Sequence, residues 1–187
     1  MQRDGSVQIS VVDRERWPDL ERLFEARGGP KSCWCMVWRA MPDRPPRADG
    51  PSRKRALSTR VMSGEQIGLL GYLDGEPAAW CSVAPRSTYK QLGGARYEGV
   101  PDDSVWSIVC FFVKRTARGN GIFDMLLAAA IDHARDNGAK IVEGYPVDPD
   151  SPSYRFMGFV SAFEAAGFQH VGMAGSRRHV MSLRLAG

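Results

Sequence analysis

The chain reads as an α/β protein built on a mixed, twisted sheet of about seven strands with helices on both faces. Three observations predict this. First, the β-branched and aromatic run Val105-Trp106-Ser107-Ile108-Val109-Cys110-Phe111-Phe112-Val113 passes through a glycine-bearing turn into an amphipathic segment beginning at Ile122 and stopping near Gly138. A further strand-like run, Lys140-Ile141-Val142-Glu143-Gly144-Tyr145, follows it. A strand, crossover helix, strand unit of this length implies a parallel pair with a right-handed connection. Second, strand-like runs at 67–73 and 77–84 flank Asp74-Gly75-Glu76, the pattern of a hairpin. Third, 187 residues, 43% hydrophobic and 25% charged, suffice for one well-buried core and are too few for two ordinary domains. Residues 1–187 are therefore expected to form a single domain.

The remaining elements follow in chain order. Val7 to Val12 is an expected first strand, and Trp17, Leu20, Leu23 and Phe24 give one apolar face to a helix from about Arg14 to Arg27, which Gly28-Gly29-Pro30 ends. Residues 39–51 hold four prolines and predict a loop. Ser52 can cap a helix reaching about Met62, whose Arg53, Lys54 and Arg55 are expected to face water. A loop at about 85–103 precedes the long strand. In the helix after it, Ile122, Met125, Leu126, Ala129, Ala130 and His133 form one stripe at a 3.6-residue period. Ser153 to Ala166 is the expected last helix, and strands at about His170–Met173 and His179–Leu185 complete the order.

Composition narrows the function classes. The net charge of +4 is mild and its basic residues are dispersed, with no basic stripe interleaved with stacking aromatics, so no nucleic-acid partner is expected. No apolar run approaches a membrane span, and Met1-Gln2-Arg3-Asp4 lacks a signal-peptide core, so a cytoplasmic protein without membrane association is expected. Cys33-Trp34-Cys35 is a Cys-x-Cys pair, and Cys81 and Cys110 stand singly, which is not zinc-ligand spacing; no metal is expected.

The turn Val113-Lys114-Arg115-Thr116-Ala117-Arg118-Gly119-Asn120-Gly121-Ile122-Phe123 carries the functional signal. Its glycines let backbone N–H groups converge ahead of a helix N-terminus that adds roughly half a positive charge, a geometry suited to a diphosphate. The same glycines would also serve a plain strand-to-helix turn. No Gly-Lys-Ser/Thr triplet follows, which excludes a nucleotide-hydrolase phosphate loop, and the dinucleotide fingerprint is absent.

Arg118-Gly119-Asn120-Gly121-Ile122, after a strand ending at Val113, resembles the acyl-CoA loop of the GNAT N-acetyltransferase superfamily, Arg/Gln-x-x-Gly-x-Gly/Ala. The order β-α-α-β-β-β-α-β-α-β-β is that of the GNAT fold, so the resemblance covers essentially the whole chain. One departure lies in the loop, where Phe123 takes the place of the final small residue, and its ring is expected to point into the core or under the pantetheine arm. The resemblance implies that acetyl-CoA is the co-substrate, held by Phe111, Phe112 and Val113 on the strand and by Arg118, Gly119, Asn120, Gly121, Ile122 and Phe123 in the loop. It also implies transfer of the acetyl group to an amine of a small molecule. Acetylation of a protein N-terminus or lysine, and acyl-CoA binding without turnover, are the alternatives. Homodimers are common in this superfamily.

An aliphatic amine with a pKa near ~10 is mostly charged at pH 7 and must lose a proton before attack. Glu143 is the first candidate base, because a charge in a parallel core strand is unexpected unless it faces a cleft or an ion pair; Asp148 is the second. The superfamily's tyrosine proton donor, one place before Glu in Tyr-Glu-x-x-Gly-Phe, is replaced here by Phe163 in Phe163-Glu164-Ala165-Ala166-Gly167-Phe168. Tyr154 at the start of that helix, or Tyr145, could substitute. Cys110 or Cys81 as an acetyl carrier would need a nearby base, and His133, His170 and His179 have no spacing that suggests one. Cys33-Trp34-Cys35-Met36-Val37-Trp38-Arg39 is either a wall of the acceptor site or a lid over the core.

Overall fold

The computed structural model describes residues 6–41 and 49–186. Seven strands form one sheet: β1 (Val7–Val11), β2 (Gly68–Leu73), β3 (Glu76–Pro85), β4 (Val105–Val113), β5 (Ile141–Gly144), β6 (Gln169–Ala174) and β7 (Arg178–Arg184). Their spatial order is β1-β2-β3-β4-β5-β7-β6. Only β4 and β5 pair in parallel, and every other neighbouring pair is antiparallel. The helices among the described residues are α1 (Trp17–Glu25), α2 (Gly50–Met62), α3 (Ile122–Asp136) and α4 (Val160–Ala165).

The period-2 alternation of the strands divides the core between two faces. On one face, Leu70 and Trp80 meet Leu20, Leu23 and Phe24 of α1 and Leu57 and Val61 of α2. On the other, Leu69, Cys81, Val83 and Ile108 meet Leu126, Leu127 and Ala130 of α3 and Phe163 of α4. Leu20, Leu23 and Phe24 have no exposed surface, and burial of such a side chain contributes roughly 1.5–3 kcal/mol. Among the described residues no helix is long and apolar enough to cross a membrane.

Several expected elements are displaced. α2 begins at Gly50 because Asp49 caps it, accepting the Ser52 amide at 2.8 Å. Most of the proline-rich 39–51 loop lies outside the described residues. Lys54 and Arg53 do not simply face water: Lys54 bridges Glu21 and Glu25 on α1, and Arg53 donates to the Ser32 carbonyl at 2.7 Å. The buried stripe of α3 is Ile122, Leu126, Leu127, Ala130, Ile131 and Ala134, while Met125 is exposed. Both stripes share Ile122, Leu126 and Ala130, and the buried one continues through Leu127, Ile131 and Ala134 in place of Met125, Ala129 and His133. The expected helix from Ser153 is a turn with a short 3-10 segment at Arg155–Met157, and α4 starts only at Val160. Tyr154 adopts φ 60° and Gly158 φ 90°, so the chain cannot be helical through them.

Candidate active site

The site begins with a mismatch in strand length. β4 and β5 pair from Val105↔Ile141 to Ile108↔Gly144, after which β4 runs on to Val113 with no β5 partner. A bulge falls at the same point: Cys110 opposes Ser82 and Ile108 opposes Val83, leaving Val109 as the extra residue in β4. Bulging turns the strand away from its parallel neighbour, and the backbone from Val109 to Val113 becomes a free edge facing the gap.

The gap is a cleft of about 750 Å³. One wall is Phe111, Phe112 and Val113 with the turn Arg118, Gly119, Gly121, Ile122 and Phe123; the other is the 155–159 turn and the start of α4. Asn120 is not on the lining and donates to the Ala117 carbonyl at 3.2 Å, holding the turn's shape. Gly119 and Gly121 adopt φ +82° and +67°, which L residues disfavour, and a Cβ on either would meet no protein atom within 4 Å. No side chain caps α3, so the amides of its first turn stay without side-chain acceptors at the cleft wall. A free strand edge, an uncapped helix N-terminus and two arginines, Arg118 and Arg155, form a donor-rich channel suited to an extended ligand with a phosphorylated end. The CoA group implied by the sequence fits those donors.

Phe123 accommodates itself by turning inward. Its ring lies 4.4 Å from that of Phe111, and both pack over Gly158. Phe163, at the usual tyrosine position, is fully buried 5.0 Å from Phe168. Its ring occupies the space a Cβ on Gly144 would need, at 2.1 Å, which explains the glycine in β5.

Glu143 is fully buried, with both carboxylate oxygens in use. Oε1 accepts the Tyr97 hydroxyl at 2.6 Å and the Ala95 amide at 2.9 Å; Oε2 accepts the Tyr145 hydroxyl at 2.7 Å and Arg86 at 3.2 Å. Arg86 also pairs with Asp102. Burial, with the adjacent Glu143 charge, pushes the Tyr145 hydroxyl well above its ordinary pKa. This is the geometry of an anion that ties the 86–102 loop to the sheet. Asp148 is engaged by His179 Nε2 at 3.1 Å.

The 33–39 segment divides between the two roles open to it. Trp34 and Met36 enter the core under α1 and α2, and Arg39 is fully buried, donating to the Ile67 carbonyl and the Tyr89 hydroxyl at 3.0 Å each. Trp38 packs instead against the cluster of Val109, Tyr145 and Met157, where it meets Tyr154 and Arg178. Cys35 and Cys110 lie with sulfurs 3.2 Å apart, and Cys81 is fully buried, its thiol pushed up by burial. Sequence reasoning missed Arg155 on the cleft wall and the grouping of Trp38, Tyr154 and Arg178. Their positions lie far apart in the chain, with no motif spacing to link them.

A sequence model of the Acetyltransferase (GNAT) family matches residues 32–159. The chain belongs to the GNAT acetyltransferase family and is an acyltransferase. Its fold is similar to that of an N-acetyltransferase from Staphylococcus aureus Mu50, with a TM-score of 0.59, 13% identity, and coverage of 97% of this chain and 99% of that one. A ribosomal-protein-alanine N-acetyltransferase from Brucella melitensis has a TM-score of 0.57 at 18% identity, covering 95% and 99%. The aminoglycoside acetyltransferase AAC(6')-Ib, solved with ribostamycin and coenzyme A, has 0.59 at 17% identity, covering 96% and 93%. Among curated protein sequences none is significantly similar to the chain.

Proposed function

We propose that this enzyme moves an acetyl group from acetyl-CoA to an amine of a small molecule by direct attack within a ternary complex. The observation that carries this is the cleft where the free Val109–Val113 edge of β4 meets the uncapped start of α3. When bound, acetyl-CoA supplies an acetyl group activated as a thioester. The amides at Gly119 to Phe123, with Arg118 and Arg155, hold the diphosphate. The exposed backbone of Phe111 to Val113 pairs with the pantetheine arm as a strand would, and one of its amides hydrogen-bonds the acetyl carbonyl.

Glu143, with four donors already on it, serves better as an anchor for Tyr145 and Arg86 than as a base, so water in the open cleft carries the amine's proton away. Tyr154, beside the Phe156 wall, is the proposed donor to the departing thiolate in place of the superfamily's tyrosine. The fold neighbours include one protein that acts on aminoglycosides and one named for a ribosomal protein, so the acceptor class is decided by assay.

Calorimetry with acetyl-CoA is expected to show one site per chain, followed by release of free CoA with small amines. No binding at micromolar concentrations would overturn the cofactor assignment. Binding with turnover only on peptides would assign a protein acetyltransferase, and binding without turnover on any amine would assign a regulatory module.

A further inference from the structure

We propose that the acceptor amine carries an anionic oxygen group, carboxylate or phosphate, which Arg178 binds inside an aromatic cage at the inner end of the cleft. The inference rests on the acetyltransfer reading above and deepens it by naming the acceptor's charge.

Arg178 opens β7 and is half-buried. Its guanidinium carbon lies 4.5 Å from the Trp38 ring centroid, 5.4 Å from that of Tyr154 and 6.0 Å from that of Tyr145. One protein acceptor is assigned to it, the Leu92 carbonyl at 2.9 Å, and no carboxylate among the described residues comes within ion-pair distance. Arg86, comparably buried, has both Glu143 and Asp102. A guanidinium has five N–H donors in a planar fork, so most of those on Arg178 remain for a ligand. Burial among the rings also lowers its pKa from the ordinary arginine value, the expected direction for a cation without a counter-charge.

A second observation points the same way. The indole Nε1–H of Trp38 is buried with no hydrogen-bond partner among the described residues. An unpaired buried donor costs free energy, and here it stands in the same cage as an unpaired cation. Both groups are donors short of an acceptor, and an oxyanion bound bidentately by the Arg178 fork is the ligand chemistry that supplies the missing counter-charge.

The cage adjoins the acetyl-CoA cleft. The Tyr154 ring lies 6.3 Å from that of Phe156, which lines the cleft, and Tyr145 and Val109 pack in one cluster at the bulge where β4 leaves β5. An acceptor anchored by its anion at Arg178 would direct its amine toward the free β4 edge. A polycationic acceptor such as an aminoglycoside would meet the uncompensated charge of Arg178, which repels it.

The test measures CoA release, with acetyl-CoA saturating, for paired acceptors. The carboxylate arm pairs L-phenylalanine with phenethylamine and L-tryptophan with tryptamine; the phosphate arm pairs O-phosphoethanolamine with ethanolamine. The wild type is expected to favour the anionic member of at least one arm by about tenfold or more in kcat/KM, and the arm that responds identifies the anion. Arg178→Gln should abolish that preference through KM while acetyl-CoA affinity by calorimetry stays within about twofold, and Arg178→Lys should restore part of it. Equal or better use of the neutral amines overturns the inference, as does a variant that lowers both members of a pair equally. Absence of turnover with every amine also overturns it, and if acetyl-CoA still binds, the cofactor assignment stands. Failure to bind acetyl-CoA would instead defeat the reading beneath it.

Discussion

Glu143 has every lone-pair direction of a buried carboxylate in use, and that changes what its substitution should do. Turning it into glutamine replaces one accepting oxygen with a donor that must face either Tyr97 and the Ala95 amide or Tyr145 and Arg86. Removing one partner of a buried ion pair costs about 3–5 kcal/mol, and because the Arg86 side chain keeps 19% of its exposure, we expect Glu143→Gln to lose about 2–4 kcal/mol in urea unfolding. A variant of native stability with slowed turnover would instead return Glu143 to the role of base. At this scale the sequence was informative but ambiguous. A charge in a parallel strand signals either a cleft or an ion pair, and only the docking of the 86–102 loop decides between them. The loop is held by tertiary contacts that leave no local pattern. Phe123 was more legible, since a large ring beside a tight glycine turn has few places to go, and it packs on Phe111.

Among the elements, the β4-turn-α3 unit was the most readable part of the chain, because β-branched content, glycine and helical period all change within a few residues of one another. Its turn also gives a sharp prediction. Gly121 is the N-cap of α3 at φ +67°, and a Cβ there would touch no protein atom, so Gly121→Ala is penalised by backbone conformation alone. We expect a loss of about 1–2 kcal/mol of stability in denaturant unfolding. Unchanged or increased stability would mean that the turn relaxes and that its conformation is not fixed. The 153–158 turn was the least readable element. Its composition suits a helix, but Tyr154 and Gly158 are left-handed and Met157 is buried in the core beside Val109 and Tyr145. That competition between local propensity and tertiary packing cannot be seen in a window of sequence.

The whole molecule opens its cleft where the one parallel pair ends inside an otherwise antiparallel sheet. The parallel pair was legible from the crossover unit, and the element order from hydrophobic period and turn residues. The aromatic cage proposed for the acceptor was not, because Trp38, Tyr145, Tyr154 and Arg178 come from four separate segments and meet only when β7 inserts between β5 and β6. The central claim concerns the other side: acetyl-CoA lies along the free edge of β4 and ends at the start of α3. Amide hydrogen exchange with and without acetyl-CoA tests it most directly, since the Phe111 and Val113 amides alternate with those that face β3 and point to the cleft, and the first-turn amides of α3 have no side-chain acceptor, so both sets exchange readily unless the ligand covers them. Protection confined chiefly to Val109–Val113 and Gly119–Asp124 is the predicted result. Binding that leaves both segments unprotected while slowing exchange elsewhere would contradict it.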